Sequence, residues 1–211
     1  MPRPDAYYAS AADAPAGESL FASDADVLTD EAIQRILDYR YVPPKLSRVA
    51  LMSFGPDSWS RWSEELSIAS EAQKRDVTDI LAASPRIYDA SYLPSILVPE
   101  QRSVPKLREA AARYQADLLL VYRSDCRSFD KYRLLGPEKS RSFCSVEAVL
   151  LDTRTGLVPF TSVASRALDV VKSDADTNFQ ETRLKAQLAA VSGALSDVSR
   201  EVVAFLARNA E

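Results

Sequence analysis

The chain has no histidine, and it has only two cysteines and five glycines among its 211 residues. Without histidine it cannot form a Ser-His-Asp or Cys-His catalytic centre, an HExxH zinc helix or a histidine pH switch. Two cysteines are too few for an all-cysteine zinc site or an iron–sulfur cluster, which need four thiolates. The glycines are too scattered for a dinucleotide-binding fingerprint or a Walker A loop. We therefore expect no metal, no cofactor and no catalytic residues.

Long apolar runs and an excess of basic charge are absent too. No run of about 18 apolar residues occurs, so no segment is expected to span a bilayer. No basic start followed by an apolar segment marks a signal peptide. The formal net charge is −4, and residues 29–211 hold equal numbers of acidic and basic side chains. Binding to phosphate backbones needs clustered Lys and Arg, so nucleic acid is not expected as the main partner.

The first 28 residues differ in composition from the rest. They hold one basic and five acidic residues among many Ala, Ser and Pro. Such a segment buries too little apolar surface to offset the entropy of ordering, which predicts a disordered acidic leader or tether over residues 1–28. The chain is 46% hydrophobic and 27% charged, enough for one core, so residues 29–211 are expected to form a single α/β domain.

Hydrophobic periodicity predicts the elements of this domain. A capping-type sequence at Thr29 predicts a helix with Ile33, Ile36 and Leu37 on one face. Strands are expected at 48–54, 86–93, 117–123, 145–151 and 157–170, and further helices at 59–81, 103–114 and 178–208. Residues 152–156 are expected to form a tight turn between the last two strands. This order predicts an α/β sandwich, in which helices pack a mixed sheet of about five strands and the C-terminal helix is long.

The C-terminal helix carries a continuous apolar stripe. Its members alternate steps of four and three residues: Leu184, Leu188, Val191, Leu195, Val198, Val202 and Phe205. Two interpretations are open. The stripe packs on the chain's own sheet, which we favour, or it forms a coiled-coil seam between subunits.

Three segments resemble a known family of bacterial envelope proteins. They are Arg-Val-Ala-Leu-Met-Ser-Phe at 48–54, the helix and strand over 107–122, and the Asp-x-x-Thr-Gly hairpin over 149–158. Together they resemble proteins with an anticodon-binding-like fold: the CsgG-like curli-secretion lipoprotein, the lipoprotein activators of penicillin-binding proteins and the N-terminal domain of TolB. The resemblance covers about residues 46–206. It implies a soluble periplasmic domain, tethered to the outer membrane as a lipoprotein by a lipid anchor ahead of Met1.

The two cysteines are expected to form a disulfide. If residues 118–128 pair with residues 141–151, the turn centres on Leu135 and places Cys126 opposite Cys144 across the ladder. A bridge would indicate an oxidising compartment, in agreement with the resemblance. The alternative is two unrelated free thiols of a cytosolic protein.

Basic and aromatic residues surround the tip of this predicted hairpin. Arg127, Lys131, Tyr132 and Arg133 are a possible partner surface, which could contact peptidoglycan, an anionic glycan or a protein. The alternative is an ordinary solvated hairpin, in which the long side chains cover the rings.

The sequence favours a non-catalytic accessory or assembly protein of the cell envelope, acting through contacts with envelope proteins or through self-association. Two alternatives stay open. One is a small hydrolase of unrecognised class using carboxylates or a serine and lysine, because Ser103 and Lys106 have the Ser-x-x-Lys spacing. The other is a cytosolic scaffold that dimerises through the C-terminal helix. The sequence identifies neither the partner nor the oligomeric state.

Overall fold

The computed structural model describes residues 8–9, 20, 28–55, 62–100, 102–131, 139–172, 176 and 178–208. Its strands are β1 (Tyr8–Ala9), β2 (Ser47–Ser53), β3 (Ile87–Tyr92), β4 (Leu118–Lys131), β5 (Lys139–Asp152) and β6 (Phe160–Val171). Its α-helices are α1 (Asp30–Asp38), α2 (Glu64–Ala82), α3 (Val104–Arg113) and α4 (Phe179–Arg208), and a short 3-10 helix covers Ser95–Leu97.

The strands form one mixed sheet in the order β3-β2-β4-β5-β6, and β1 pairs with the far end of β4. Strands β3, β2 and β4 are parallel, whereas β4, β5 and β6 form an antiparallel meander. Parallel neighbours need crossover helices, and α2 and α3 provide them. The predicted α/β fold, with a mixed sheet and a long C-terminal helix, is confirmed.

Helices cover both faces of the sheet. On one face α2 and α4 pack against alternate residues of β2, β4 and β5, among them Leu51, Leu120 and Val146, all fully buried. On the other face α3 packs against Met52, Leu119 and neighbouring residues. Successive side chains of a strand point to opposite faces of the sheet, so each central strand contributes residues to both faces. The result is two apolar cores separated by the sheet.

Helix α4 packs on the chain's own sheet, as expected. Val191, Leu195, Val198 and Val202 are buried in the core between β4, β5 and α2, and Leu188 is buried as well. The ring of Phe205 stacks on Phe160 of β6, with 5.0 Å between the ring centres. None of the helices in the described ranges is long and apolar enough to cross a membrane.

Helix α1 begins where predicted, but it is not buried against the described part of the chain. Thr29 is its N-cap, and the Thr29 hydroxyl accepts a hydrogen bond from the Ala32 amide at 3.3 Å. The helix has no buried residue: Ile33, Ile36 and Leu37 are 42%, 40% and 73% exposed. The helix therefore has the predicted apolar face, but that face is not buried by the described residues.

The predicted disorder of residues 1–28 stays a prediction. Most of these residues lie outside the described part of the chain. Within the described part, Tyr8 and Ala9 pair with Asp130 and Phe129 of β4, and Leu20 packs against the core on the α3 face.

The turn between β5 and β6 has the predicted tight geometry. The buried carboxylate of Asp152 accepts hydrogen bonds from the Thr155 amide and hydroxyl at 2.7 and 2.6 Å. Gly156 takes a φ of +78°, and a Cβ there would lie 3.0 Å from the Arg108 side chain. Arg108 donates to the carbonyl oxygen atoms of Thr153 and Arg154, so the turn is also tied to α3.

Two glycine substitutions test this geometry in opposite directions. Gly156→Ala should lower the free energy of unfolding by about 1–2 kcal/mol, because it forces a side chain into the left-handed region. Gly193→Ala lies inside α4, where its Cβ would contact Arg166 at 3.4 Å, and it should raise stability by up to about 1 kcal/mol. Urea unfolding of both variants measures the difference. Equal effects would contradict the turn geometry.

Candidate functional site

Strands β4 and β5 extend well beyond α3, and none of the described helices covers this part of the sheet face. On this face the core under α3 ends at Val121 and Val149. Farther along, the alternate residues of the three antiparallel strands face outward together. They run from Arg123 to Phe129 on β4, from Lys139 to Glu147 on β5 and from Val163 to Val171 on β6. We call this surface the open sheet face.

Ion pairs cross the open sheet face between neighbouring strands. Arg123 donates to Glu147 at 2.7 Å, and Arg141 donates to both carboxylate oxygen atoms of Asp169 at 2.6 and 2.7 Å. The hydrogen bond from Arg141 lowers the pKa of Asp169, and the charges of Arg141 and Lys139 lower it further. These pairs are solvent-exposed and contribute little to stability.

Charge on the open sheet face is uneven. We call the half nearer the hairpin tip the tip half; it comprises Arg127 and Phe129 and the outward-facing residues of 139–143 and 167–171. It holds three basic side chains, Arg127, Lys139 and Arg141, and Arg127 is 70% exposed. They face the acid Asp169 and, at the border of the tip half, Asp125, which lies 3.7 Å from Arg127. Among the described residues the tip half therefore has a small net positive charge.

Large apolar side chains lie among these charges. Phe143, Val163 and Val171 are 45%, 66% and 46% exposed. Each alone would be ordinary, since apolar atoms make up much of any protein surface. Aromatic residues and arginines grouped on one face are typical of protein–protein interfaces. The open sheet face is therefore the candidate functional site.

On the opposite side of the same hairpin, a disulfide joins β4 to β5 and polar groups contact α4. Cys126 and Cys144 are opposite each other with their Cα atoms 4.1 Å apart, and they form the predicted bridge. Two residues farther along each strand, the Ser128 and Ser142 hydroxyls are 3.0 Å apart. The side chain of Gln187 on α4 donates a hydrogen bond to the Ser128 hydroxyl at 2.9 Å. These contacts support the open sheet face from behind.

Only part of the predicted partner surface lies in the described residues. Arg127 is on the open sheet face, and Lys131 ends β4 opposite Lys139. The Lys131 side chain, Tyr132 and Arg133 lie outside the described residues, so their role stays a prediction. Sequence reasoning missed Val163 and Val171, because the apolar alternation of β6 follows its other face, with Phe160, Ala164, Leu168 and Val170.

The Ser-x-x-Lys pair has structural roles. Ser103 is the buried N-cap of α3, and Lys106 is exposed with its Nζ 3.7 Å from Glu109. These positions give the hydrolase alternative no support.

A recess of about 550 Å³ lies beside the tip half, between β6, α2 and α4. Within it Lys185 Nζ lies 2.7 Å from Asp176, 2.6 Å from Glu65 and 3.4 Å from Glu181. The hydrogen bonds to Asp176 and Glu65 raise the pKa of Lys185. A lysine held protonated in this way cannot serve as a nucleophile or a general base.

No metal centre is found in the part of the chain that the structure describes, where no three acidic or cysteine side chains are grouped as ligands. The Lys185 network is therefore a structural ion-pair cluster, which joins the start of α4 to α2.

The disulfide can be tested by removing it. Cys126→Ser together with Cys144→Ser should lower the free energy of unfolding by about 3 kcal/mol, because the bridge closes a loop of 18 residues in the unfolded chain. Urea unfolding measures this loss. Reductant should reproduce the loss in the parent chain and leave the double variant unchanged. Two titratable thiols in the denatured, unreduced protein would contradict the bridge.

The Lys185 network predicts a loss of stability that depends on pH. Lys185→Met should destabilise by about 2 kcal/mol or more at neutral pH, because the nearly buried Asp176 and Glu181 lose their cation. The raised pKa means that this contribution is complete below the unfolded pKa, about 10.4, and is lost as pH rises through the folded value. The parent chain's advantage should therefore shrink above about pH 10.4. Lys106→Met, at an exposed pair, should cost about 0.5 kcal/mol or less.

Comparisons with known proteins find similar solved structures only. No protein-family model matches the chain, and no curated protein sequence matches it. A PelC dodecamer from Paraburkholderia phytofirmans is 15% identical, with a TM-score of 0.38 over 75% of this chain and 93% of that one. A minor lipoprotein from Acinetobacter baumannii is 12% identical, with a TM-score of 0.41 over 75% and 93%. A lipoprotein from Neisseria meningitidis is 18% identical, with a TM-score of 0.34 over 76% and 99%.

The similar structures thus include bacterial lipoproteins. With identities this low and TM-scores below one half, these likenesses carry no argument about what this chain does. The closer resemblance to the curli-secretion, penicillin-binding-protein-activator and TolB proteins stays a prediction.

Proposed function

We propose that this chain is a non-catalytic protein of the bacterial cell envelope, tethered on the periplasmic side of the outer membrane, that acts through protein contacts on its open sheet face. The observation that carries the proposal is the uncovered face itself. It combines exposed Phe143 and Val163 with arginines, and the disulfide and α4 support it from behind.

The disulfide supports the proposed compartment. Disulfides persist in oxidising environments such as the periplasm and are rare in the bacterial cytosol. The Cys126–Cys144 bridge joins two strands near the end of the apolar core, where Cys144 is fully buried and the next pair along the ladder is the polar pair Ser128 and Ser142. A chain that depends on a bridge at such a place suits an oxidising compartment.

The two alternatives find less support. A scaffold dimerising through α4 would need a free apolar stripe, but four of its members are buried in the core on the chain's own sheet. A hydrolase would need a nucleophile beside a base. Ser103 is a helix cap, and Lys185 is held protonated among three carboxylates.

Site-specific photo-crosslinking tests the proposal. The oxidised full chain is exported to the periplasm of a Gram-negative host, with a photoreactive residue in place of Phe143. The matched control carries it in place of Glu71, which is exposed on α2. We expect defined protein adducts from position 143 and none from position 71. Adducts from neither position, or equal and diffuse adducts from both, would contradict the proposal.

A further inference from the structure

Among the described residues, two surfaces of this chain are left uncovered, and they do not meet. One is the apolar side of α1, whose residues Ile33, Ile36 and Leu37 are all exposed. The other is the tip half of the open sheet face. We propose that α1 of a second copy lies across the tip half, so that each copy donates one helix and receives another. This inference rests on the proposed function and names the partner of its surface.

The same chain cannot bring its own α1 to the tip half. Tyr41, just after the helix, packs against the core, and burial together with the charges of Asp152 and Asp117 raises the pKa of its hydroxyl. Tyr41 is thus fixed at the end of the sheet where β4 begins.

The distances follow from element geometry. Arg127 lies nine residues along β4 from Leu118, which is about 30 Å at 3.3 Å per residue. Two extended residues and the whole of α1 reach only about 20 Å from Tyr41. The helix that covers the tip half must therefore come from another molecule.

The two surfaces are complementary in shape and in chemistry. Helix α1 has nine residues, about 14 Å of length, which suits a crossing of three strands spaced about 4.8 Å apart. Its apolar side would contact Phe143 and Val171 of the tip half, replacing water at both surfaces.

Charge also matches. Helix α1 carries Asp30, Glu31 and Asp38 against the single basic residue Arg35. The tip half carries Arg127, Lys139 and Arg141 against Asp169 and the bordering Asp125. The opposite net charges favour α1 over a basic or neutral helix at this surface.

The contact is heterologous, because the donated surface differs from the receiving one. Such contacts propagate into closed rings or open chains and do not stop at a dimer. The disulfide that supports the open sheet face then also supports the assembly.

A mixing experiment tests this pairing. The donor variant carries Ile33→Asp and Leu37→Asp, and the acceptor variant carries Phe143→Asp and Val171→Asp. All four positions are exposed, so both variants should keep the parent's circular dichroism and urea midpoint. Sedimentation and light scattering give their masses. Ile96→Asp, at a 90% exposed site outside both surfaces, is the control.

We expect the parent and the Ile96→Asp control to form assemblies larger than a dimer, and each variant alone to be monomeric. An equal mixture of the two variants should form a dimer, because the intact α1 of one meets the intact face of the other. A monomeric parent chain, or a mixture that stays monomeric, would overturn the inference. If position 143 then still crosslinks to a different envelope protein, the proposed function stands without this partner.

Discussion

The antiparallel register of β4 on β5 is the constraint on which the rest of the structure depends. In that register Cys126 is opposite Cys144, and Ser128 is opposite Ser142. A slip of one residue would exchange the two faces of the hairpin, because successive side chains point to opposite sides. The disulfide would then be lost, and Phe143 and the arginines would be placed against α4. One register therefore both closes the core and produces the open sheet face.

Much of this was predictable because the information is local. A turn centred on Leu135 pairs positions symmetrically about it, and the observed partners follow that rule along the whole hairpin. Gly156 marks the next turn by its backbone freedom. The stripe along α4 identified a helix with one apolar side, and the sheet it packs on comes from the same chain.

What the sequence could not show depends on which surfaces are covered. The pattern of Ile33, Ile36 and Leu37 is that of a buried helix side, yet these residues are exposed. The sequence pattern of a helix does not distinguish an apolar side that is buried in its own domain from one that stays exposed. Lys185 and Glu65 are likewise distant in sequence, and only the packing of α4 on α2 brings them together. Long-range contacts of this kind leave no periodicity to detect.

We propose that the open sheet face is covered by another protein molecule in the functional state. Hydroxyl-radical footprinting of the oxidised full chain, followed by mass spectrometry, measures the solvent accessibility of this face. Phe143 and Tyr88 are both exposed aromatic residues on the sheet, at 45% and 62%, and Tyr88 lies on β3 away from the open sheet face. We expect oxidation of Phe143 to fall as protein concentration rises, because a second copy then covers it, while oxidation of Tyr88 stays constant. Oxidation of Phe143 that stays as high as that of Tyr88 at every concentration would contradict it.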